Sequence, residues 1–346
     1  MPPALAESTL ERNNSRTEDS DRTFVALSSS APIIRSELWL SDGNIVLEAE
    51  NTQFRFYRGL LARHSTFFRN MFDVMFPPSN GPLVHAEDIV LVEECPVVCL
   101  ADAAEDVSYM LYFLVEARSF DLVPSIANLR SAMCMGHKYT IPSLWNDAVQ
   151  RLRYEFPSRL EDYQDSRNYD DNTRFHLADG ETLHDLVELV QEMNIQSVQP
   201  ALFCHVVSSC SLDSLANDAS SPLSLENRVM LLTGRARLKD AALRDQYQSR
   251  TGRSSHCTRP ECAEGHTRLQ ASLLCRVAFI SVVIPGFEEW TDRDTRLYGR
   301  ELCDECVLQV QLLTEETQRK TWDRLPSLFG LPNWEDLGDP TVVASR

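Results

Sequence analysis

The fold of the first half of the chain is decided by residues 36–72, which read SELWLSDGNIVLEAENTQFRFYRGLLARHSTFFRNMF. Residues 38–40 are apolar and predict a short strand. Residues 41–44, Ser-Asp-Gly-Asn, predict a turn, because glycine lacks a Cβ and Asp and Asn tolerate left-handed backbone angles. Alternating side chains in residues 45–49 predict a second strand with one solvent-facing side, and hence a β-hairpin. Residues 54–56, Phe-Arg-Phe, predict a third strand.

The spacing of the apolar residues then changes from that of a strand to that of a helix. The apolar side chains that would share one helical side are Leu60, Leu61, Phe67, Phe68, Met71 and Phe72. Ser65 lies where a second short helix would begin and predicts its N-cap, since a serine hydroxyl accepts hydrogen bonds from the first free N–H groups. The stretch therefore predicts a hairpin, a third strand and two helices rich in aromatic side chains.

This order of elements, with the run LLARHSTFFRNMF at residues 60–72, resembles the BTB (POZ) domain, whose members carry a similar L-A-x-x-S-x-x-F-x-x-M-F signature. The chain is most similar to the divergent BTB proteins that are numerous in mushroom-forming fungi. The resemblance covers roughly residues 34–157, where further strand and helix patterns follow and Pro157 ends the last one. It implies an α+β fold with an N-terminal BTB/POZ fold, followed by a mainly α-helical C-terminal domain.

The resemblance also implies a function. BTB domains homodimerise through their first strand and first helices, which places Leu38, Trp39, Leu60 and Leu61 in a dimer interface. Some members bring substrates to cullin-based ubiquitin ligases, and others act as corepressor platforms on DNA-bound proteins. No kelch repeat, MATH domain or finger array accompanies the motif here, so a cullin or a chromatin protein stays open as the partner. We expect a protein–protein interaction module, a homodimerising scaffold or adaptor, rather than an enzyme.

Composition suggests how the 346-residue chain is divided, since it is long enough for two domains with separate cores. Residues 1–32 are polar and serine-rich and lack the apolar region of a signal peptide, so we expect a disordered tail. The BTB-like domain is expected over residues 33–157. Residues 158–180 are acidic and poor in branched apolar residues, so we expect a linker there. Helical spacing predicts a C-terminal domain over residues 181–346.

The charge balance argues against some partners. The chain has 33 basic and 51 acidic residues, a net charge of −18, which makes nucleic acid or an anionic membrane an unfavourable main partner. The longest mainly apolar run, residues 277–284, is too short to span a bilayer and ends at Pro285. Ten cysteines without a secretory signal indicate a reducing compartment. We therefore expect a soluble intracellular protein that is cytoplasmic, nuclear or both.

Helix signals continue in the second half. Ser221-Pro222 predicts the start of a helix that bears Leu225 and Val229, because serine is a good N-cap and proline suits the first helical position. A long final helix is predicted from near Arg300. Residues 325–336 predict an aromatic tail that folds back onto the body.

Residues 228–276 are locally basic, with ten Lys or Arg residues against four acidic ones, a balance of +6. One interpretation is a docking patch for an acidic partner or a weak contact to nucleic acid. The other is a solvated helix that balances the acidic first half. We favour the second interpretation, because Tyr247 alone supplies an aromatic side chain among the basic residues.

Signatures of common enzyme classes are missing from the sequence, including G-x-G-x-x-G, Walker A, G-x-S-x-G and H-E-x-x-H. The eight histidines are scattered, and we interpret His64 as a half-buried packing residue rather than a base. A zinc-dependent enzyme remains an alternative only in the C-terminal half. It would need an open coordination position and a nearby acid–base residue.

The most specific motif is a set of four cysteines, Cys257-x4-Cys262 and Cys303-x2-Cys306, with His256 beside the first pair and His266 shortly after it. Two pairs of thiolates suit a tetrahedral structural zinc ion. Bound at about 2.3 Å, the sulfurs would lie about 3.5–4 Å from one another, so they should converge in the fold. Two other interpretations stay open: Cys303 and Cys306 are small inward residues of the last helix, or the C-x-x-C is a redox pair.

Overall fold

The computed structural model describes residues 32–76, 90–116, 124–168, 180–217, 219–249, 253–279, 296 and 299–342. These residues combine α-helices with a five-stranded mixed sheet, so the predicted α+β class is confirmed. The predicted N-terminal tail lies outside the described residues, except for Pro32.

Five strands form the sheet: β1 (Ile34–Trp39), β2 (Ile45–Ala49), β3 (Thr52–Phe56), β4 (Leu91–Val92) and β5 (Cys95–Leu100). Their order across the sheet is β1-β3-β2-β5-β4. β1 is parallel to β3, and β5 is parallel to β2, whereas the β2–β3 and β4–β5 pairs are antiparallel. Within the described residues, β1 is therefore one edge of the sheet and β4 is the other.

The predicted hairpin between β1 and β2 is wrong, because β3 lies between these two strands. Residues 41–44 do turn, but they carry the chain past the end of β3, where the N–H of Leu40 donates to the carbonyl of Arg55 (3.0 Å). The tight hairpin instead joins β2 to β3 through Glu50 and Asn51. Glu50 has a φ of +52°, the left-handed conformation that a tight turn requires.

β2 is the centre of the core in the first half. Its four apolar side chains are 0% exposed, including Val46, which the alternating pattern assigns to the solvent side. Val46 is paired with Arg55 on one side and Val97 on the other, and the Arg55 side chain is only 16% exposed. Both faces of the central strand are covered at Val46. The alternation of residues 45–49 therefore does not distinguish a solvent-exposed face from a buried face at this position.

Among the residues described in the first half, five helices accompany the strands: α1 (Arg58–His64), α2 (Thr66–Met75), α3 (Ala104–Glu116), α4 (Ile126–Lys138) and α5 (Pro142–Glu155). The predicted N-cap at Ser65 is confirmed, since its Oγ accepts the N–H of Phe68 (3.0 Å). The same hydroxyl donates to the carbonyl of Tyr139 (2.5 Å), which ties α2 to the end of α4. Pro142 is the first residue of α5, where a missing N–H costs nothing.

The second half is helical: α6 (Leu160–Asn168), α7 (Gly180–Glu192), α8 (Gln199–Ser209), α9 (Leu212–Asn217), α10 (Leu225–Ser249), α11 (Cys262–Phe279), α12 (Asp304–Asp323) and α13 (Leu325–Leu328). In the described part of this half, 3-10 turns lie at Gln196–Val198 and Trp334–Asp336. The predicted final helix is present as α12.

The predicted start of α10 is wrong by a few residues. The helix begins at Leu225, because the Ser221 hydroxyl contacts the buried ring of His184 (2.8 Å) and Ser224 accepts the N–H of Asn227 (3.3 Å). Leu225, although part of the apolar pattern of this helix, is 77% exposed.

The segment expected to be an acidic linker differs from that expectation where it is described. Residues 160–168 form α6, and Leu160 and Tyr163 are buried on one side of it. Tyr163 packs on Trp322 with ring centroids 4.8 Å apart, and the indole N–H of Trp322 donates to the carbonyl of Ser158 (2.8 Å). One contact between aromatic rings and one hydrogen bond thus hold a stretch whose composition favours a linker. The other part of the expected linker, residues 169–179, lies outside the described residues.

Most of the buried side chains form one continuous cluster that extends from β1 through α5 to α8, α10 and α13. The aromatic tail is part of it, as predicted: Phe329 packs edge-on against Phe203 (5.6 Å), and Trp334 stacks on Trp322 (5.5 Å). Gly234 is needed here, because a Cβ at that position would lie 2.1 Å from the Phe329 ring. The division into two domains stays a prediction, and this shared core argues against cores that are fully separate.

Candidate metal centre

Four cysteines come together where α11 and α12 begin. Cys257 lies in the turn before α11, and Cys262 is the first residue of that helix. Cys303 is the N-cap of α12, and Cys306 lies in its first turn. Both helix N-termini therefore lie beside the same group of sulfurs, where the partial positive charge of each helix dipole favours a thiolate.

The four Sγ atoms lie within 4.8 Å of one another, so the predicted convergence is confirmed. Cys257 Sγ and Cys303 Sγ are 3.7 Å apart, and the main-chain N–H of Cys303 donates to Cys262 Sγ (3.2 Å). All four thiols are free of disulfides. Bonds of about 2.3 Å in a tetrahedral zinc site separate the sulfurs by about 3.8 Å. The cluster therefore fits such an ion if its widest pairs close by roughly 1 Å.

The buried sulfurs of Cys262 and Cys306 differ in thiol pKa from the partly exposed sulfur of Cys257. Cys262 and Cys306 are 0% exposed, and burial raises the pKa of both thiols, that of Cys306 to about 12. Cys257 is half-buried, and the Arg253 guanidinium, which donates to its sulfur (3.4 Å), lowers the pKa of Cys257 to about 6. A thiolate is stable at the surface position without a metal, whereas the two buried thiolates need a cation because an unpaired buried charge is costly.

The sulfurs lie at the end of a small core of their own. Its apolar members are Leu269, Leu302, Val307 and Val310, which join α11 to the start of α12. Gly265 allows this close approach, because a Cβ there would lie 2.7 Å from the carbonyl oxygen of Glu301. Arg268 adds an ion pair to Glu301 across the same contact (2.9 Å). A metal at the sulfurs would therefore fasten a helix contact that has few apolar side chains.

The other interpretations of the cysteines fit the geometry less well. Cys306 is 0% exposed within the small core, as the packing interpretation expects, whereas Cys303 lies at the N-cap position of α12 with its sulfur 3.7 Å from that of Cys257. A redox pair would need only two sulfurs, and here the C-x-x-C pair lies against two more. His256 and His266 lie outside the four-sulfur group. Arg253 is the residue that the sequence reasoning missed, and its position four residues before Cys257 gave no signal by itself.

The four residues expected in a dimer interface fall into two classes. Leu38 and Leu61 are 6% and 0% exposed, so their predicted place in a dimer interface is wrong: both lie in the core of the chain and offer no apolar surface to a second copy. Trp39 and Leu60 are half-buried, and the guanidinium of Arg35 lies 4.4 Å from the Trp39 ring. The periodicity that marks an inward side chain cannot tell whether the neighbour is the same chain or a second one.

Exposed apolar side chains lie instead at the beginning of β1. Ile33 and Ile34 are each 59% exposed and lie at the edge of the sheet. The sequence reasoning missed both residues, because they precede the alternating pattern. At the opposite edge, Val90 and Leu91 are 66% and 61% exposed.

The basic residues of the segment 228–276 are largely engaged within the chain. Arg235 donates to the carbonyl of Cys210 (2.6 Å), and Arg237 donates to that of Leu328 (3.3 Å). Arg228 likewise donates to main-chain carbonyls, and Arg244 and Arg268 form ion pairs. These contacts leave fewer basic side chains for a docking patch, and their partners lie in the second half of the chain rather than in the acidic first half. His64 is half-buried, and burial lowers its pKa, which agrees with a packing role.

Among the described residues, the helices are all too short or too polar to cross a membrane. The match of the structure to the expected α+β class does not by itself identify a family, since this class contains many unrelated proteins. Comparisons with protein-family models, with curated proteins and with solved structures found no match to this chain.

Proposed function

We propose that this protein is a homodimerising protein–protein interaction scaffold, with a BTB-like first half and a second half held by one structural zinc ion. The observation that carries the zinc part of the proposal is the group of four sulfurs, because four thiolates fill a tetrahedral shell. A filled shell leaves no position for a water or a substrate. The site therefore suits a structural role better than catalysis.

The fit to zinc rests on the donor set. Four cysteine sulfurs from two helix N-termini, two of them buried, form a soft and anionic site, which zinc prefers over calcium or magnesium. The N–H of Cys303 and the guanidinium of Arg253 donate to two of the sulfurs and would offset part of the negative charge of the complex. Zinc would supply the cation that the buried pair lacks. It would fasten the start of α12 to α11.

The dimer proposal rests on the edge strand. Among the described residues β1 is an edge strand, and its edge with two adjacent exposed isoleucines is a surface that a second copy can cover. Each isoleucine is 59% exposed, so its burial would contribute about 1–2 kcal/mol. Two copies would bury four such side chains, or roughly 4–8 kcal/mol before the cost of association. The resemblance to BTB domains, which dimerise through their first strand, points to the same surface.

Light scattering on the purified chain tests the dimer. The expected mass is twice the chain mass of 39.3 kDa, or 78.6 kDa. Ile34→Asp should weaken the dimer at least about tenfold, because two buried like charges would face an apolar surface. The matched control is Leu312→Asp on α12, where the wild-type side chain is 57% exposed and belongs to neither the first strand nor the first helices. A wild-type monomer at tens of micromolar, or equal effects of the two substitutions, would contradict the proposal.

A further inference from the structure

The last described residues, 337–342, form an extended segment that we call the C-terminal strap. It contains neither helix nor strand and follows the 3-10 turn at Trp334–Asp336. It lies across α5 and across the 3-10 turn at Gln196–Val198, two elements that are more than 130 positions earlier in the sequence. Its hydrogen bonds go to side chains and main-chain groups of these two elements rather than within the strap.

Asp339 is the anchor of the strap. Its side chain is 3% exposed, an unusual position for a carboxylate. Oδ1 accepts the main-chain N–H of Ser197 (2.8 Å), and Oδ2 accepts the Ser197 hydroxyl (2.5 Å). Oδ2 also accepts Nε (3.0 Å) and Nη2 (2.6 Å) of Arg153. Four donors from two separate elements therefore converge on one carboxylate.

Two further hydrogen bonds fix the strap on either side of this anchor. The N–H of Gly338 donates to Oε1 of Gln196 (3.3 Å). The indole N–H of Trp145 donates to the carbonyl of Pro340 (3.3 Å), and the Trp145 ring is 1% exposed. The side chain of Val342 packs on the main core. Along the strap, the N–H of Gly338 donates a hydrogen bond, the Asp339 carboxylate and the Pro340 carbonyl accept hydrogen bonds, and Val342 makes an apolar contact.

This arrangement is the chemistry of a peptide-recognition site. The donors belong to a helix and a 3-10 turn, so they are held in place by the body. A site with these donors rejects a segment without the acid, since Ser197 and Arg153 would be left facing an apolar group. Pro340, which follows the aspartate, has no N–H, so its carbonyl is the only main-chain group that needs a partner. The indole N–H of Trp145 is that partner.

We propose that the seam formed by α5 and Gln196–Val198 is a binding site for an extended Gly-Asp-Pro peptide, and that the C-terminal strap is its resident ligand. The same sequence supplied on a separate peptide would compete for the site. The proposal is independent of the zinc ion and of the dimer, because α5 and Gln196–Val198 contain none of the residues in those proposals. Failure of one would leave the other intact.

The test uses the full-length chain and a fluorescent peptide with the sequence of residues 335–342, EDLGDPTV. Asp339→Ala in the chain removes the anchor and frees the site. The peptide should bind this variant saturably, and at least about tenfold more weakly to the wild-type chain, whose strap competes. A peptide that carries Asp339→Ala should bind the variant at least about tenfold more weakly than the native peptide. Adding Arg153→Ala to the variant chain should weaken binding of the native peptide too.

A thermal melt first checks that the Asp339→Ala chain is folded. If it is folded and does not bind the native peptide, or binds both peptides equally, the proposal is wrong. If it does not fold, hydrogen exchange on the wild-type chain decides. Millimolar native peptide should then speed exchange of the Gly338 amide by displacing the strap, whereas the Asp339→Ala peptide should not. Unchanged exchange with the native peptide would also overturn the proposal.

Discussion

The metal centre leads to a prediction that can be worked out in detail, namely the effect of Cys306→Ser. The sulfur of Cys306 is 0% exposed and belongs to the first turn of α12. Serine keeps the size of the side chain but is a poor zinc ligand. The variant should therefore lose the ion, while the sheet of the first half, which contains none of the four cysteines, keeps its structure.

The loss of stability follows from the loop that the ion closes. Cys262 and Cys303 are 41 positions apart in the sequence. The chain-entropy relation for a cross-link gives about 4 kcal/mol for a loop of roughly this length at 25 °C. If opening is confined to the contact between α11 and α12, hydrogen exchange at the beginning of α12 should become about 10³-fold faster, since each factor of ten is about 1.4 kcal/mol.

Two measurements check this prediction: zinc content by native mass spectrometry, and hydrogen exchange resolved along the chain. A chelator added to the wild-type chain should reproduce the exchange pattern of Cys306→Ser, which separates metal loss from the cost of a buried hydroxyl. The control is Cys99→Ser, an exposed thiol on β5 outside the group of four. Wild-type protein without one zinc per chain, or a Cys306→Ser chain with unchanged exchange in α12, would refute the reasoning.

Two further predictions follow from burial and from close packing. Zinc must displace protons at least from the thiols of Cys262 and Cys306, whose pKa values are raised by burial, so its apparent affinity should rise at least about 100-fold per pH unit from pH 6.5 to 8. A rise of less than tenfold in a chelator-competition assay would mean that these thiols are already ionised. Gly234→Ala should destabilise the chain by about 1–3 kcal/mol, because its Cβ would overlap the ring of Phe329. Gly59→Ala on α1, which has no heavy atom within 4 Å, should instead stabilise it by about 1 kcal/mol, so equal melting temperatures for the two variants would contradict the packing argument.

The sequence by itself determined those features that depend on neighbours within a few residues. The cap at Ser65 and the proline at the start of α5 were predictable, because capping and helix initiation involve groups one to four positions apart. The four cysteines were predictable for a different reason. Few residue types bind a soft metal, and their paired spacing leaves few ways to assemble a tetrahedral site.

Only the tertiary structure decided which strands pair and which buried side chains share a core. The order of β1, β3 and β2 depends on contacts across the sheet, and a short strand can pair with several others at similar cost. The burial of Leu61 shows the same limit of sequence patterns. Helical spacing predicts which side of a helix is buried, but it does not predict which element packs against that side. Asp339 had no sequence signal at all, since the hydroxyl and N–H that bind it belong to Ser197, 142 positions earlier. Contacts between residues so far apart in the sequence depend on how whole helices and strands pack, and a local sequence pattern cannot predict that packing.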